Sequence, residues 1–299
     1  MKPLYIDLQV NGHGGVDLLS AKSADEVRKI SSSLYENGVV GYLPTIITSA
    51  LPDAVRAIKL IEEVRKNPLP GEAKILGIHL EGPFISIEKR GVHPIEHIAK
   101  PDLNHLKALL NAGLIKIMTI APELPGAIEL IRYLVANNIV VSLGHTNANR
   151  EEAIAGFNAG AKTVTHLFNA MPKPPLDGTA QVAIERADVT IQIIIDEVHV
   201  PNDLVKETLA KVANRFVVTN DPIAAAGLGS GTYPFGGMEI TVKDGQARRT
   251  DGTLAGGIGT LERALEIMDA MGIAREDALA SVTTRPCELI GVDYKSLLN

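Results

Sequence analysis

Three side chains of the kind that bind divalent metal ions follow short apolar runs that lie far apart in the sequence. Glu81 follows one run, and His145 and His166 follow two others. Zinc accepts two imidazoles and one carboxylate, and a catalytic zinc site keeps a further position open for water. The same ligand set also suits iron or manganese. The sequence therefore predicts a divalent metal site if the fold brings the ends of these runs together.

Further polar residues follow the other apolar runs. They are Gln9, Asn11, His13, His79, Lys89, His93, Glu123, Asn169, Asp196, His199, Asn220 and Asp221. Six of the eight histidines fall at such positions, and only His97 and His105 lie elsewhere. Each residue alone has an ordinary structural explanation, such as a helix cap, a turn or a buried hydrogen bond. His13 lies among glycines, so we expect it to be exposed to solvent. The joint pattern nevertheless favours one polar site.

Alternating strands and helices must position these residues. The predicted strands are Leu4–Val10, Val39–Ile47, Ile75–Leu80, Ile115–Ile120, Ile139–Leu143, Thr163–Leu167, Thr190–Ile195 and Phe216–Thr219. The predicted helices are Ser23–Glu36, Pro52–Lys66, Leu103–Leu110, Ala127–Ala136, Glu151–Ala159, Thr179–Arg186, Asn202–Val212, Leu261–Met271 and a final segment, Glu276–Ile290. Continuous apolar strands between helices indicate a parallel sheet that is buried on both faces. Eight such units favour a (β/α)8 TIM barrel, whose active site lies at the carboxyl ends of its strands.

One Gly-rich insertion interrupts this pattern around residues 227–259. Within it, Met238–Lys243 and Gln246–Arg249 flank Asp244-Gly245, a dipeptide typical of tight hairpin turns. We otherwise expect residues 1–299 to form a single barrel domain.

Composition excludes several classes of protein. The 299 residues carry 29 basic and 35 acidic side chains, a net charge of −6, which argues against a nucleic-acid partner. No apolar run approaches the roughly 18 residues that span a membrane. A single cysteine, Cys287, excludes an intrachain disulfide framework and a Cys-rich zinc site. The chain opens without a signal-peptide pattern, so we expect a cytoplasmic protein. We also expect a small-molecule substrate and a homodimer.

A series of motifs occurs in order along nearly the whole chain. They are Asp7-Leu8-Gln9-Val10-Asn11-Gly12, His79-Leu80-Glu81-Gly82-Pro83-Phe84, Arg90-Gly91-Val92-His93, Ala121-Pro122-Glu123, Gly144-His145-Thr146-Asn147-Ala148, Thr165-His166-Leu167-Phe168-Asn169-Ala170-Met171, Ile223-Ala224-Ala225-Ala226-Gly227 and Asp251-Gly252-Thr253-Leu254-Ala255-Gly256. Together they resemble the N-acetylglucosamine-6-phosphate deacetylase family of the amidohydrolase superfamily. Each motif alone is weakly specific, but the ordered combination is highly specific.

The resemblance implies a metal-dependent amide hydrolase and assigns roles to its residues. It implies that one divalent ion is held by Glu81, His145 and His166. Gln9 stands where many two-metal relatives have a His-x-His pair, which favours a single ion and leaves Gln9 as a second-site or structural residue. The resemblance further implies that His93 contacts the acetamide carbonyl. It places the sugar phosphate against Asn169, Ala170 and His199.

The strand-eight motif departs from the family pattern. The family has Val-Thr-Asp followed by a small residue, whereas this chain has Val218-Thr219-Asn220-Asp221-Pro222. An amide cannot carry a proton between water and a leaving amine, so we choose Asp221 over Asn220 as the catalytic acid–base.

Three other departures concern the phosphate and the architecture. Glu197 replaces a family glycine and adds negative charge close to the expected phosphate site. The family's Arg-x-Pro-Gly run is missing, which predicts weak phosphate binding, with Lys173 as a possible substitute. Family members also carry a small β-sandwich domain, which we expect this barrel to lack.

Three functions remain open on these residues. The first is deacetylation of N-acetylglucosamine 6-phosphate to glucosamine 6-phosphate and acetate. The second is deacetylation of another N-acetylated sugar, such as N-acetylgalactosamine 6-phosphate. The third is a non-catalytic binding relative, which the altered strand-eight motif and the missing Arg would favour.

Overall fold

Eight parallel strands form the frame of the molecule and confirm the predicted (β/α)8 barrel. The protein is described here by a computed structural model, which covers residues 4–298. The barrel strands are β1 (Tyr5–Val10), β2 (Val39–Ile47), β3 (Ile78–Glu81), β4 (Ile115–Ile120), β5 (Val140–Leu143), β6 (Thr163–Val164), β7 (Thr190–Ile193) and β8 (Phe216–Val218). Each strand pairs in parallel with the next one along the chain. Short strands at Gly12–His13, Val16–Asp17 and Lys74–Ile75 lie beside this ring.

Helices cover the outside of the ring. They are α1 (Ala24–Glu36), α2 (Leu51–Lys66), α3 (Leu103–Leu110), α4 (Ala127–Ala136), α5 (Arg150–Asn158), α6 (Thr179–Glu185), α7 (Asn202–Val212), α8 (Leu261–Ala270), α9 (Arg275–Ser281) and α10 (Thr284–Ile290). Side-chain caps fix several starts: Ser23 accepts from Glu26 N, and Asn149 and Glu152 form a capping box at α5. Each helix of eight residues or more buries one apolar face. Within residues 4–298, no helix has both the length and the apolar character needed to cross a bilayer.

The final helical segment differs from the sequence prediction. Glu276–Ile290 is not one helix, because the chain leaves helical geometry at Val282 and Thr283 and then restarts as α10. Pro286 explains the break, since its missing N–H is tolerated only in the first turn of a helix. A 3-10 turn, Tyr294–Leu297, follows α10. Ile290 and Leu297 then pack against Ile6 and Leu8 of β1. The C-terminal segments therefore cover the amino-terminal end of the barrel.

A three-stranded antiparallel sheet stands over the opposite end. Its strands are β9 (Gly231–Phe235), β10 (Met238–Lys243) and β11 (Gln246–Arg248). The turn between β10 and β11 lies at Asp244-Gly245, where both residues have positive φ, as the sequence predicts. The strand β9 was not predicted, because Gly231 and Pro234 are poor strand formers. Phe235 at its end is buried.

The ring closes through a buried carboxylate. The order of strand pairing begins with β1 and ends with β8, and Asp7 bridges the gap between them. Asp7 Oδ1 accepts from Thr219 Oγ1 at 2.6 Å and from Gln9 N at 3.1 Å, and Oδ2 accepts from Asn220 N at 3.3 Å. Burial raises the pKa of Asp7 to about 6, although the three hydrogen bonds act in the opposite direction. The carboxylate therefore joins the first and eighth strands.

Replacing Asp7 tests this closure. Asp7→Ala leaves three buried donors without their acceptor, and each such group costs about 1–3 kcal/mol. We expect the free energy of unfolding to fall by at least about 2 kcal/mol, measured by chemical denaturation. Asp269→Ala, which changes an exposed carboxylate at the end of α8, is the control. Equal stability of the two variants would show that Asp7 does not hold the seam.

Candidate active site

One carboxylate oxygen is the meeting point of four barrel strands. Glu81 at the end of β3 places Oε1 3.1 Å from His145 Nε2 and 3.0 Å from His166 Nε2, and the two imidazole nitrogens are 3.2 Å apart. Gln9 of β1 donates to the same oxygen at 3.0 Å. All four side chains are buried. The structure therefore brings together the three residues that the sequence predicts as metal ligands.

The hydrogen bond of His145 Nδ1 directs the other ring nitrogen, Nε2, toward Glu81. His145 Nδ1 lies 2.9 Å from the carbonyl oxygen of Lys89, which can only accept, so Nδ1 carries the hydrogen. In the neutral ring Nε2 then presents a lone pair toward Glu81. Burial would raise the pKa of Glu81, but its contacts with His145 and His166 lower it well below the usual value. Two such acceptor atoms 3.1 Å apart need either a proton or a metal ion between them, so a divalent ion can take this place.

The spacing of the three atoms fits a tetrahedral ion. Zinc bound at about 2.0–2.2 Å from oxygen and nitrogen sets its ligands about 3.3 Å apart. The corresponding distances among Glu81, His145 and His166 are 3.0–3.2 Å. The carbonyl contact of His145 is the type of outer hydrogen bond that fixes a metal-binding imidazole. His166 Nδ1, in contrast, is buried without a hydrogen-bond partner among residues 4–298.

His93 offers a fourth group at the same place. Ligand atoms of Glu81, His93 and His145 all lie within 4.8 Å of one another, so these three residues could also hold an ion. However, the backbone N–H of Thr48 donates to His93 Nδ1 at 3.3 Å, which leaves the hydrogen of the neutral ring on Nε2. Nε2 lies 3.8 Å from Glu81 Oε2, and burial lowers the pKa of His93 to about 3. His93 therefore presents a neutral N–H donor to the cavity rather than a lone pair.

Asp221 faces the metal ligands from the end of β8. Asn11 Nδ2 donates to its Oδ1 at 2.6 Å, and the side chain lines the same cavity as Glu81 and His166. Burial, and then the charge of Glu81, raise the pKa of Asp221 to about 8. A carboxyl group with such a pKa can exchange a proton near neutral pH.

Asn220 points elsewhere, although it is the adjacent residue. It lines a separate small cavity beside Asp7 and His13. Two glycines make this arrangement possible, because a side chain at either position would clash with the backbone. A Cβ atom on Gly257 would lie 2.1 Å from the carbonyl oxygen of Asn220, and a Cβ atom on Gly256 would lie 2.6 Å from the carbonyl oxygen of Asp221. Gly257 N also donates to the Asp221 carbonyl. The Leu254-Ala255-Gly256 motif thus holds the backbone of the strand-eight turn.

Comparison with known proteins gives this arrangement a family. No protein-family model matches the chain. The chain is 36% identical over 267 residues to an N-acetylglucosamine-6-phosphate deacetylase of Bacillus subtilis, covering 86% of this chain and 66% of that protein. It is 30% identical over 299 residues to an N-acetylgalactosamine-6-phosphate deacetylase of Escherichia coli O157:H7, covering 97% and 78%.

A solved structure agrees with these relatives. It is an N-acetyl-D-glucosamine-6-phosphate deacetylase mutant of Mycobacterium smegmatis in complex with N-acetyl-D-glucosamine-6-phosphate, with a TM-score of 0.89 and 31% identity. The match covers 97% of this chain and 77% of that one. The chain belongs to the N-acetylglucosamine-6-phosphate deacetylase family. Across the three comparisons it spans 66–78% of the length of its relatives.

The residues that the deacetylase resemblance links to phosphate all line the cavity. They are Asn169, Ala170 and His199, and the cavity has a volume of about 280 Å³. His199 Nδ1 lies 2.7 Å from Asp196 Oδ2. Burial would raise the pKa of Asp196, but His199 and two backbone N–H groups lower it, so Asp196 is a carboxylate that orients the ring.

Several predicted residues of the deacetylase site are not at the cavity. His13 is buried rather than exposed, because Ser33 of α1 covers it at 2.8 Å from Nδ1. His79 lies inside the barrel and bonds to Leu8 O and Thr119 Oγ1. Lys173 is exposed and does not line the cavity.

Glu197 and Glu123 also take structural roles. Glu197 adopts the positive φ of the family glycine, but its carboxylate pairs with Arg263 at 3.0 Å and accepts from Asn202, away from the cavity. Glu123 accepts from Thr146 Oγ1 and Asn147 N, both at 2.6 Å. It therefore supports the turn that carries His145.

Sequence reasoning did not find part of the deacetylase cavity wall. Glu88 lies beside it, and Phe235, Thr253 and Leu254 reach it from the antiparallel sheet and the loop that follows. The sequence signals for this second group are the Gly-rich insertion after strand eight and the motif that contains Thr253 and Leu254, because segments after barrel strands lie at the active-site end.

Metal analysis of variants distinguishes the two possible ligand sets. We expect purified protein loaded with zinc or iron to bind one divalent ion per chain. His166→Ala should weaken binding by more than the about 10- to 100-fold loss that outer-shell changes cause. His93→Ala should keep the ion, because its Nε2 carries a hydrogen. Elemental analysis after dialysis measures both, and the reverse pattern, or a parent protein without stoichiometric metal, would contradict the assignment.

Proposed function

We propose that this protein hydrolyses the acetamide of N-acetylglucosamine 6-phosphate and releases acetate and glucosamine 6-phosphate. The observation that carries the proposal is the convergence of Glu81 and two imidazoles opposite a carboxyl group, Asp221, and an N–H donor, His93. Family membership and the bound sugar phosphate of the mycobacterial relative support the substrate.

In this proposal Glu81, His145 and His166 hold one divalent ion, with zinc the first expectation and iron or manganese also suited to the ligand set. Bound there, such an ion polarises the acetamide carbonyl and lowers the pKa of water to about 7. Gln9 then donates a hydrogen bond to the Glu81 carboxylate and is not itself a metal ligand.

Asp221 moves the proton. Amide hydrolysis requires a group that takes a proton from the attacking water and gives one to the nitrogen that leaves as an amine. Asp221 lines the cavity together with the metal ligands, and Asn11 holds one of its oxygens at 2.6 Å, leaving the other for water. Asn220 has an amide that cannot carry the proton, and it lines a different cavity.

His93 stabilises the carbonyl oxygen. Its Nε2–H points into the cavity near Glu81 because Thr48 holds Nδ1 as an acceptor. A fixed donor aimed at an oxygen that gains negative charge in the transition state lowers the barrier without reorganisation. Asn169, Ala170 and His199 bind the phosphate end of the sugar in this proposal.

A second substrate has its own support. The relative of Escherichia coli that covers 97% of this chain is an N-acetylgalactosamine-6-phosphate deacetylase. The two sugars differ only in the orientation of one hydroxyl group.

Four expectations stay predictions from the sequence. They are the location in the cytoplasm, the homodimer, the absence of a nucleic-acid partner and the single-domain organisation.

Acetate release identifies the substrate. We expect the metal-loaded protein to release acetate from N-acetylglucosamine 6-phosphate faster than from N-acetylgalactosamine 6-phosphate, with unphosphorylated N-acetylglucosamine third. Steady-state kinetics on all three sugars measure the order by kcat/KM. A preference for the galactose epimer would transfer the proposal to the second substrate. No acetate from any of them would favour a non-catalytic relative.

Two variants of neighbouring residues test the acid–base assignment. Asp221→Asn removes the proton carrier, so we expect turnover to fall by about 100- to 10,000-fold while the ion stays bound. Asn220→Ala leaves the cavity intact and should lower turnover much less. Elemental analysis of the same samples shows whether metal loss explains any effect. Unchanged turnover in Asp221→Asn would reject Asp221 as the acid–base.

A further inference from the structure

The charges that line the cavity are unbalanced for an anionic substrate. Three carboxyl groups, Glu81, Glu88 and Asp221, face it. Among residues 4–298 it is lined by one lysine, Lys89, and by no arginine. A phosphate monoester carries about −1.5 to −2 charges near pH 7. In the proposed function the divalent ion serves the acetamide carbonyl, so the phosphate end of the sugar needs a cation of its own.

The ammonium group of Lys89 is unpaired among the described residues. Its side chain is half-buried, and its ammonium makes no ion pair or hydrogen bond within residues 4–298. The neighbouring carboxylate of Glu88 accepts from Asn147 Nδ2 and makes no ion pair with Lys89. An ammonium on a flexible stem can then turn toward whichever anion enters the cavity.

Backbone contacts place Lys89 beside the wall that carries Asn169 and Ala170. The Lys89 carbonyl accepts from His145 Nδ1 at 2.9 Å, so this loop runs along the turn at His145. On the other side of the same turn, Thr146 N donates to the Ala170 carbonyl at 3.1 Å. One tight turn thus separates Lys89 from the expected phosphate wall.

Three arginines of this region make other contacts. Arg150 pairs with Asp177 and Glu185, next to the segment where the family arginine is missing. Arg263 pairs with Glu197. Arg90, the residue after Lys89, bonds to Ile87 O and lines a separate, larger cavity of about 780 Å³.

We propose that Lys89 is the cation that binds the substrate phosphate and so determines the preference for phosphorylated sugars. The proposal rests on the proposed deacetylase function and replaces Lys173 with a residue that lines the cavity. Lys89 touches the phosphate and not the reacting carbonyl, so its contact is the same in the ground state and the transition state. Its loss therefore raises KM more than it lowers kcat.

Lys89→Met tests the charge while it keeps the backbone carbonyl that fixes His145. We expect KM for N-acetylglucosamine 6-phosphate to rise by about tenfold or more, the loss of one charge-assisted hydrogen bond, and kcat/KM for unphosphorylated N-acetylglucosamine to fall much less. Lys89→Arg should retain most of the preference. Arg90→Met, one residue along the same loop, and Lys173→Met are the matched controls and should leave the preference for phosphate in place.

The outcomes separate this proposal from the function on which it rests. Equal losses on both sugars in Lys89→Met, or a preference lost in Lys173→Met instead, would overturn the role of Lys89. If the parent protein releases acetate from neither sugar, the deacetylase function fails. Binding of inorganic phosphate, measured by calorimetry on the metal-loaded protein, then tests Lys89 alone: weaker binding in Lys89→Met supports it, and equal binding rejects it.

Discussion

The site depends on the contact of one carboxylate oxygen, Glu81 Oε1, with atoms from three other strands. Gln9, His145 and His166 reach it from β1 and from the ends of β5 and β6, at 3.0–3.1 Å. Only a closed ring of strands brings these ends to one point. The carboxylate oxygen of Glu81 and the two imidazole nitrogens that face it all carry lone pairs, so they need a proton or a metal ion between them. The predicted ion site therefore depends on closure of the barrel.

Backbone strain accompanies this convergence. His145, His166 and Asp221 all have positive φ, a conformation that costs a residue with a side chain about 1–3 kcal/mol. Local contacts hold two of these turns: Glu123 binds the residues after His145, and Gly256 and Gly257 leave room for the backbone around Asp221. Strain of this kind persists only where surrounding contacts determine the geometry. The glycines after the antiparallel sheet are therefore as necessary to the site as its carboxylates.

Periodicity and strand ends account for what the sequence could predict. Strands buried on both faces are unbroken apolar runs in the sequence, so the predicted bounds of β2 and β4 agree with the structure to the residue. The rule that barrel sites lie at strand ends singles out Glu81, His145 and His166, which the structure brings together. The rest depends on contacts between distant segments. Ser33 buries His13, and Arg263 neutralises Glu197 from 66 positions away. The place of Lys89 at the cavity follows from a loop without periodicity, which no local pattern encodes.

The seam at Asp7 has a consequence for the order of folding. Asp7 accepts hydrogen bonds from Thr219 and Asn220, and Ile6 N donates to Val282 O. The Tyr294 hydroxyl donates to the carbonyl of Leu4, just before the first strand. These partners of the first strand and its start all lie more than 200 positions later in the chain. During synthesis from the amino terminus, one edge of β1 stays unpaired until β8 has emerged. Closure joins partners that are far apart in sequence, a feature that slows folding and leaves a sheet edge open to other chains meanwhile. The ribosome must finish most of the chain before this barrel can close.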